Sequence, residues 1–128
     1  MSWDLYVLRG SPDDLASGRE AALGALDPEP ARELLGLEGV DGAWTADTLV
    51  AELFVSTDER GTARSIAAGV HFDATPTPGS LDRQRAEYAE LLDALVTVAE
   101  RLDARLYDPQ REAFLTRADI PAIAASLE

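Results

Sequence analysis

In 128 residues the chain has no cysteine, no lysine and no asparagine, and its single histidine is His71. The lack of cysteine excludes disulfide staples, thiolate nucleophiles and sulfur-bound metals. The lack of lysine excludes Schiff-base chemistry, and one histidine leaves few proton shuttles or metal ligands. Composition alone therefore closes most routes to catalysis and implies neither a metal nor a cofactor. Long apolar runs are missing as well. Nothing approaches the roughly 20 residues that a membrane-spanning helix needs. Met1-Ser2-Trp3-Asp4 lacks the basic stretch and apolar core of a secretion signal. These absences predict a soluble, cytoplasmic protein.

Positive charge is scarce too. There are 24 acidic residues against 11 basic ones, all arginine, for a formal net charge of −13. Nucleic acid and anionic lipid both reward Lys/Arg surfaces, so neither is an expected partner. A basic protein, cations, salt adaptation or plain solubility all suit this balance. The excess of Ala, Gly, Arg and Pro fits a GC-rich coding bias, which accounts for Arg in place of Lys but not for the acids. Apolar residues make up 46% and charged residues 27%, ordinary for a globular protein, and the length suits a single domain spanning 1–128.

Along the chain, residues 3–8 (W-D-L-Y-V-L) read as a short, largely buried strand ended by Gly10. Ser11-Pro12-Asp13-Asp14 is a helix start, with Ser11 as N-cap, Pro12 at the first turn and Asp14 placed to reach back. That helix is expected to run to about Leu26. Asp27-Pro28-Glu29-Pro30 breaks it and starts a second short helix through Leu37, after which Gly36, Gly39 and Gly42 mark a loop. Residues 48–56 and 64–72 are the strongest strands, joined by a turn-rich hairpin loop at 57–61. Residues 74–79 hold two prolines and a glycine and predict irregular chain. The longest helix is expected over 81–102 after Ser80, with Tyr88, Leu91, Leu92, Leu95, Val98, Ala99 and Leu102 on one stripe. Residues 104–107 form a last strand, and Thr116-x-x-Asp119 caps a terminal helix carrying Ile120, Ile123 and Leu127. The resulting order predicts an α/β (α+β) fold of the ferredoxin-like βαββαβ kind. It has an antiparallel sheet with its first and third strands central, helices on one face and an added C-terminal helix.

Strand alternation sorts the side chains into two faces. Trp3, Leu5, Val7, Leu49, Ala51, Leu53, Val55, Ile66, Ala68, Val70 and Phe72 form the core set. The other face carries Tyr6, Leu8, Val50, Glu52, Phe54, Ala67, Gly69 and His71, joined by Asp4, Asp73 and Tyr107. Aromatics mixed with small residues and a few charges are typical of a contact surface. Either a partner or a second copy covers this face, or the terminal helix folds over it.

Sites of chemistry are sparse. His71-Phe72-Asp73 places an imidazole and a carboxylate on one face, where the acid could orient the ring. A hydrogen-bonded structural histidine explains the same pair. Asp13-Asp14 is explained by helix capping, and Asp58-Glu59 by a turn whose spacing matches no calcium loop. The glycines show no phosphate-binding pattern, and no serine has a nucleophile-elbow context. On the long helix, Glu87, Glu90, Asp93 and Glu100 face away from the apolar stripe. That is the pattern of a solvated face or of an electrostatic docking surface.

The opening Ser2-Trp3-Asp4-Leu5-Tyr6-Val7 and the closing Arg105-Leu106-Tyr107-Asp108-Pro109-Gln110 together resemble a loose group of small bacterial proteins of actinobacterial type. These begin S-W/Y-D and end their last strand in D-P-Q. Some resemble immunity proteins of polymorphic toxin systems. The resemblance implies a non-enzymatic protein-binding domain whose acidic surface neutralises a basic, toxin-like partner, and it carries no catalytic residue. The candidate partner-binding residues are Tyr6, Glu52, Phe54, His71, Glu87, Glu90 and Asp93. The competing expectations are a small-molecule binder or minor enzyme near His71, and a homodimer that buries the open face on itself.

Overall fold

The alternation of Leu5 and Val7 with more polar neighbours builds strand β1 (Ser2–Leu8), whose two apolar side chains are wholly buried. Pro12 then opens α1 (Pro12–Ala16), and the Asp13 amide donates to Ser11 Oγ at 3.2 Å, as capping requires. The helix expected to reach Leu26 stops at Ala16. Gly18 turns the chain with φ +73°, a left-handed conformation suited to glycine. Asp14 does not reach back over the helix start; it accepts from Arg19 Nε at 3.0 Å. The following chain is tied to neighbouring strand ends, with Gly24 N–H donating to the Arg9 carbonyl at 2.6 Å and Leu26 N–H to Ala63 at 2.9 Å. Helix α2 (Glu29–Leu35) starts where Asp27 accepts the Glu29 amide at 3.0 Å.

The computed structural model describes residues 2–19, 23–27, 29–40, 43–47, 50–57, 60, 62–71 and 80–125. The glycine-marked stretch after α2 is not a plain loop. It forms strands β2 (Glu38–Val40) and β3 (Ala43–Asp47), paired antiparallel with Glu38 opposite Thr45. Pairing of β3 onto β4 (Ala51–Thr57), and of β2 onto β3, outweighs the low strand preference of Gly39 in β2. Next come β5 (Ala63–His71), the long α3 (Ser80–Arg101) and β6 (Arg105–Asp108). A further short strand, β7 (Ala113–Leu115), precedes a single 3-10 turn at Arg117–Asp119 and α4 (Ile120–Ala125). The Asp119 carboxylate accepts the Thr116 amide at 2.8 Å, the expected cap for the terminal helix. Thr48, Leu49, Phe72 and the proline-rich 74–79 stretch lie outside the described residues.

All strands join one antiparallel sheet in the order β2-β3-β4-β5-β1-β6-β7. The four expected strands keep the order β4-β5-β1-β6, with β1 and β5 inside. The four-stranded expectation is corrected to seven by the β2–β3 hairpin at one edge and β7 at the other. The protein is therefore α+β, with α2, α3 and α4 packed on one face of an extended antiparallel sheet.

That face is the main core. Leu5, Val7, Leu53, Ile66, Ala68, Val70 and Leu106 meet Tyr88, Leu92, Leu95 and Val98 of α3, all at most 1% exposed. Burying each large apolar side chain contributes about 1.5–3 kcal/mol, so α3 is the principal anchor of the sheet. Among the buried polar groups, Tyr88 and Asp108 are partnered within the fold. Tyr88 accepts from Trp3 Nε1 at 3.2 Å, their rings edge to face with centroids 5.6 Å apart. Asp108 is wholly buried, accepts the Gln110 amide at 2.9 Å and pairs with Arg111. The Asp108-Pro109-Gln110 segment is thus an Asx-type turn at the exit of β6. No helix among the described residues is long and apolar enough to cross a membrane.

Candidate functional site

Because Leu5, Val7, Leu53, Ile66 and Leu106 point into the core, their strand neighbours point to the other side of the sheet. Strand register arranges that outer side into rows. The central row runs across all seven strands as Glu38, Thr45, Phe54, Ala67, Tyr6, Tyr107 and Phe114. Directly opposed side chains in such a row stand about 5 Å apart, close enough to form a continuous surface. Four of the seven are aromatic. Phe54 is 45% exposed, while the small Ala67 between Phe54 and Tyr6 is only 2% exposed. Tyr107 and Phe114 pack at a centroid distance of 5.4 Å, and the Arg105 guanidinium lies 3.6 Å over the Phe114 ring.

On one side of this band runs an acidic row, with Asp47 opposite Glu52, Glu52 opposite Gly69, and Gly69 opposite Asp4. Gly69 leaves room over which the Asp4 carboxylate extends, 3.5 Å from where a side chain would begin. Partial burial lifts the Tyr6 phenol above its ordinary range, and the charge and hydrogen bond of Asp4 add to the effect. The band and the acidic row are therefore linked through Tyr6. On the band's other side lie Ser56, Ser65, Leu8 and Arg105 in register. There Leu8 and Leu23 are buried at 0% and 1%.

The terminal helix does not close this face. It packs on α3, and Ile123 joins the core beneath the other side of the sheet. Leu127 lies outside the described residues.

The expected partner-binding residues divide between two layers. Tyr6, Glu52, Phe54 and His71 share the outer sheet face. Glu87, Glu90 and Asp93 belong to α3, which packs on the core face, so the seven residues do not form one surface. Within the α3 stripe, Arg117 pairs with Asp93, donates to Thr97 Oγ1 at 3.0 Å and reaches Glu100 at 3.2 Å. Those two acids fasten the 3-10 turn to α3. His71 is exposed at the end of β5, its amide bonded to the Val50 carbonyl at 2.7 Å. Asp73 lies outside the described residues, and among those described no group of histidines and acids could hold a metal.

Phe114, Thr45 and Asp47 belong to the site but escaped the sequence reading because β3 and β7 did. The alternation in Ala43-Trp44-Thr45-Ala46, and the strand-forming Phe114-Leu115 after a proline turn, were the signals available.

Arginines elsewhere are mostly satisfied by acids. Arg9, Arg19, Arg32, Arg85, Arg101, Arg111 and Arg117 each lie within 4.0 Å of a carboxylate. Arg105 meets no carboxylate among the described residues; its contact is the Phe114 ring. Two hollows flank β6. One, of about 410 Å³, is bounded by Leu8, Arg9, Gly10, Gly24, Asp103, Ala104 and Arg105. The other, of about 240 Å³, lies between α3 and the β6–β7 hairpin. Comparison with protein-family models, with curated proteins and with solved structures finds no match for this chain.

Proposed function

We propose that this chain is a non-enzymatic protein-binding domain whose outer sheet face docks a basic partner. Its most concrete form is an immunity-type protein that neutralises a toxin-like domain in the cytoplasm. Within this reading, β1, β4, β5 and β6 with α2 and α3 form a ferredoxin-like core, and the extra strands widen the docking face.

The observation that carries the proposal is the aromatic band beside the acidic row. Phe54 is 45% exposed at the centre of the face, and Asp47, Glu52 and Asp4 stand along one side. An exposed aromatic with small neighbours is the usual anchor of an interface, and flanking charge selects the sign of the partner. The net charge of −13 favours a basic partner over a second copy of the chain, which would bring like charges together.

The test is capture from native lysate at low and physiological salt, with wild type, Phe54→Glu and Glu52→Lys compared side by side. The expected result is one stoichiometric basic protein, held by wild type, weakened by salt and lost from both variants. Equal capture by all three proteins refutes the reading. Light scattering on the same samples identifies a second copy as the occupant if wild type is dimeric and Phe54→Glu monomeric.

A further inference from the structure

The acidic row of the outer face carries a cost that the fold does not offset. Asp47 and Glu52 stand directly opposite each other on β3 and β4, both exposed, and like charges so placed oppose strand pairing. Asp4 follows in the same row, on the other side of Gly69. Among the described residues no arginine ion pair runs to Asp4, Asp47 or Glu52. The row is thus a set of negative charges without a cation.

Gly69 opens a notch in it. The residue lies between Glu52 and Asp4 in register and is partly exposed, although β5 runs inside the sheet. The first carbon of a side chain there would meet the Asp4 carboxylate at 3.5 Å and the Glu52 carbonyl at 3.8 Å, both ordinary contacts, so the space above the backbone is open. Ala67, the next position toward the aromatic band, is 2% exposed, which places the opening at Gly69 and not between the rings.

The walls suit an organic cation. Glu52 and Asp4 belong to the strands on either side of β5, about 10 Å apart, and a planar guanidinium can donate hydrogen bonds of about 2.8 Å toward both. Phe54 and Tyr6 stand two residues along the same two strands and offer ring surface to a cation and its methylene stem. Asp4 is already set in place: its carboxylate accepts a hydrogen bond from the Tyr6 hydroxyl and reaches over Gly69. A restrained carboxylate loses less freedom when its partner arrives. A lysine ammonium is a strongly hydrated point charge and fits flat rings and paired carboxylates less well.

We propose that the Gly69 notch seats an arginine side chain of the basic partner, with its guanidinium between Asp4 and Glu52 and its stem against Phe54. The seat rests on the docking reading and names the group that the face grips.

The probe is N-acetyl-arginine N-methylamide, titrated into the full chain at constant ionic strength while the amide signals of Asp4, Glu52 and Gly69 are followed by NMR. Saturable shifts are expected, with binding about threefold or more tighter than for the matching lysine amide. They should be lost in Gly69→Val, which fills the notch, and in Glu52→Gln, which removes one wall's charge. Thermal melts confirm that each variant is folded, and either variant decides the matter if the other fails to fold. Shifts that never saturate, that persist undiminished in the folded variants, or that the lysine amide matches overturn the seat. Capture of the partner distinguishes this failure from that of the docking reading. Retention by Gly69→Val with loss from Phe54→Glu removes the arginine seat alone, whereas retention by both removes the docking face as well.

Discussion

Replacing Asp108 with alanine tests whether the turn after β6 is a device of the fold. The carboxylate is wholly buried, accepts the Gln110 amide at 2.9 Å and pairs with Arg111, whose side chain is 39% exposed. Truncation leaves the Gln110 amide without its acceptor, a loss of about 1 kcal/mol. Breaking a fully buried ion pair costs about 3–5 kcal/mol, but water can reach Arg111, which reduces that term to about 1–2 kcal/mol. The total is about 2–3 kcal/mol. For a 128-residue domain the unfolding entropy is about 0.27 kcal/mol per kelvin, so the melting temperature should fall by about 7–11 °C. Asp108→Asn keeps an acceptor for Gln110 and loses the charge, and should cost about half as much. Calorimetry on the three proteins decides the matter. Equal effects of Asn and Ala, or losses under about 2 °C in both, refute the argument.

Tyr88 gives a pH prediction. Burial holds its phenol above the ordinary value of 10.0, outweighing the opposing hydrogen bond from Trp3. The folded state therefore keeps a proton that the unfolded chain releases first. Its contribution is complete below pH 10 and is lost as pH rises through the raised value. Urea midpoints should fall more steeply with alkali in wild type than in Tyr88→Phe, and parallel curves would contradict this. For Arg117→Met, loss of the exposed clamp onto Asp93 and Glu100 should cost about 0.5–1 kcal/mol by thermal melt. The difference from wild type should shrink as salt screens the pairs.

The parts of the fold legible in the sequence are those whose signal is local. Pro12 after Ser11, the apolar stripe from Tyr88 to Ala99, and Thr116 with Asp119 each place an element from their own few residues. The parts that were not legible depend on distant partners. Glu38–Val40, centred on Gly39, and Ala43–Asp47 are too short to declare themselves, and become strands because β4 offers an unpaired edge. Ala113–Leu115 is similarly a strand by virtue of β6. In the opposite direction, the stripe Leu15, Ala22 and Leu26 suggested a long helix. Instead, Gly24 and Leu26 bond to strand-end carbonyls, and tertiary contacts prevail over periodicity. The site follows the same rule. Tyr6, Glu52, Phe54 and His71 share a face by period-two alternation alone, whereas Phe114 and Asp47 join it only through β7 and β3, strands too short for their own pattern to stand out.

The two layers separate what the acids can do for a partner on the outer face. Glu87 and Glu90 project from α3, which packs on the far side of the sheet, a layer separation of about 10 Å. That distance exceeds the Debye length of about 8 Å at physiological salt. Such charges guide approach at low salt and fade as salt rises. Asp4 and Glu52 are in a different position. They stand one strand step from Tyr6 and Phe54, inside any interface that covers the band, where contact excludes the screening ions. Asp93 and Glu100 are paired with Arg117, which offsets part of their charge. The net charge of −13 is thus not one docking feature. In the proposed complex, its share on α3 would act on encounter, and its share beside Phe54 on the lifetime of the complex.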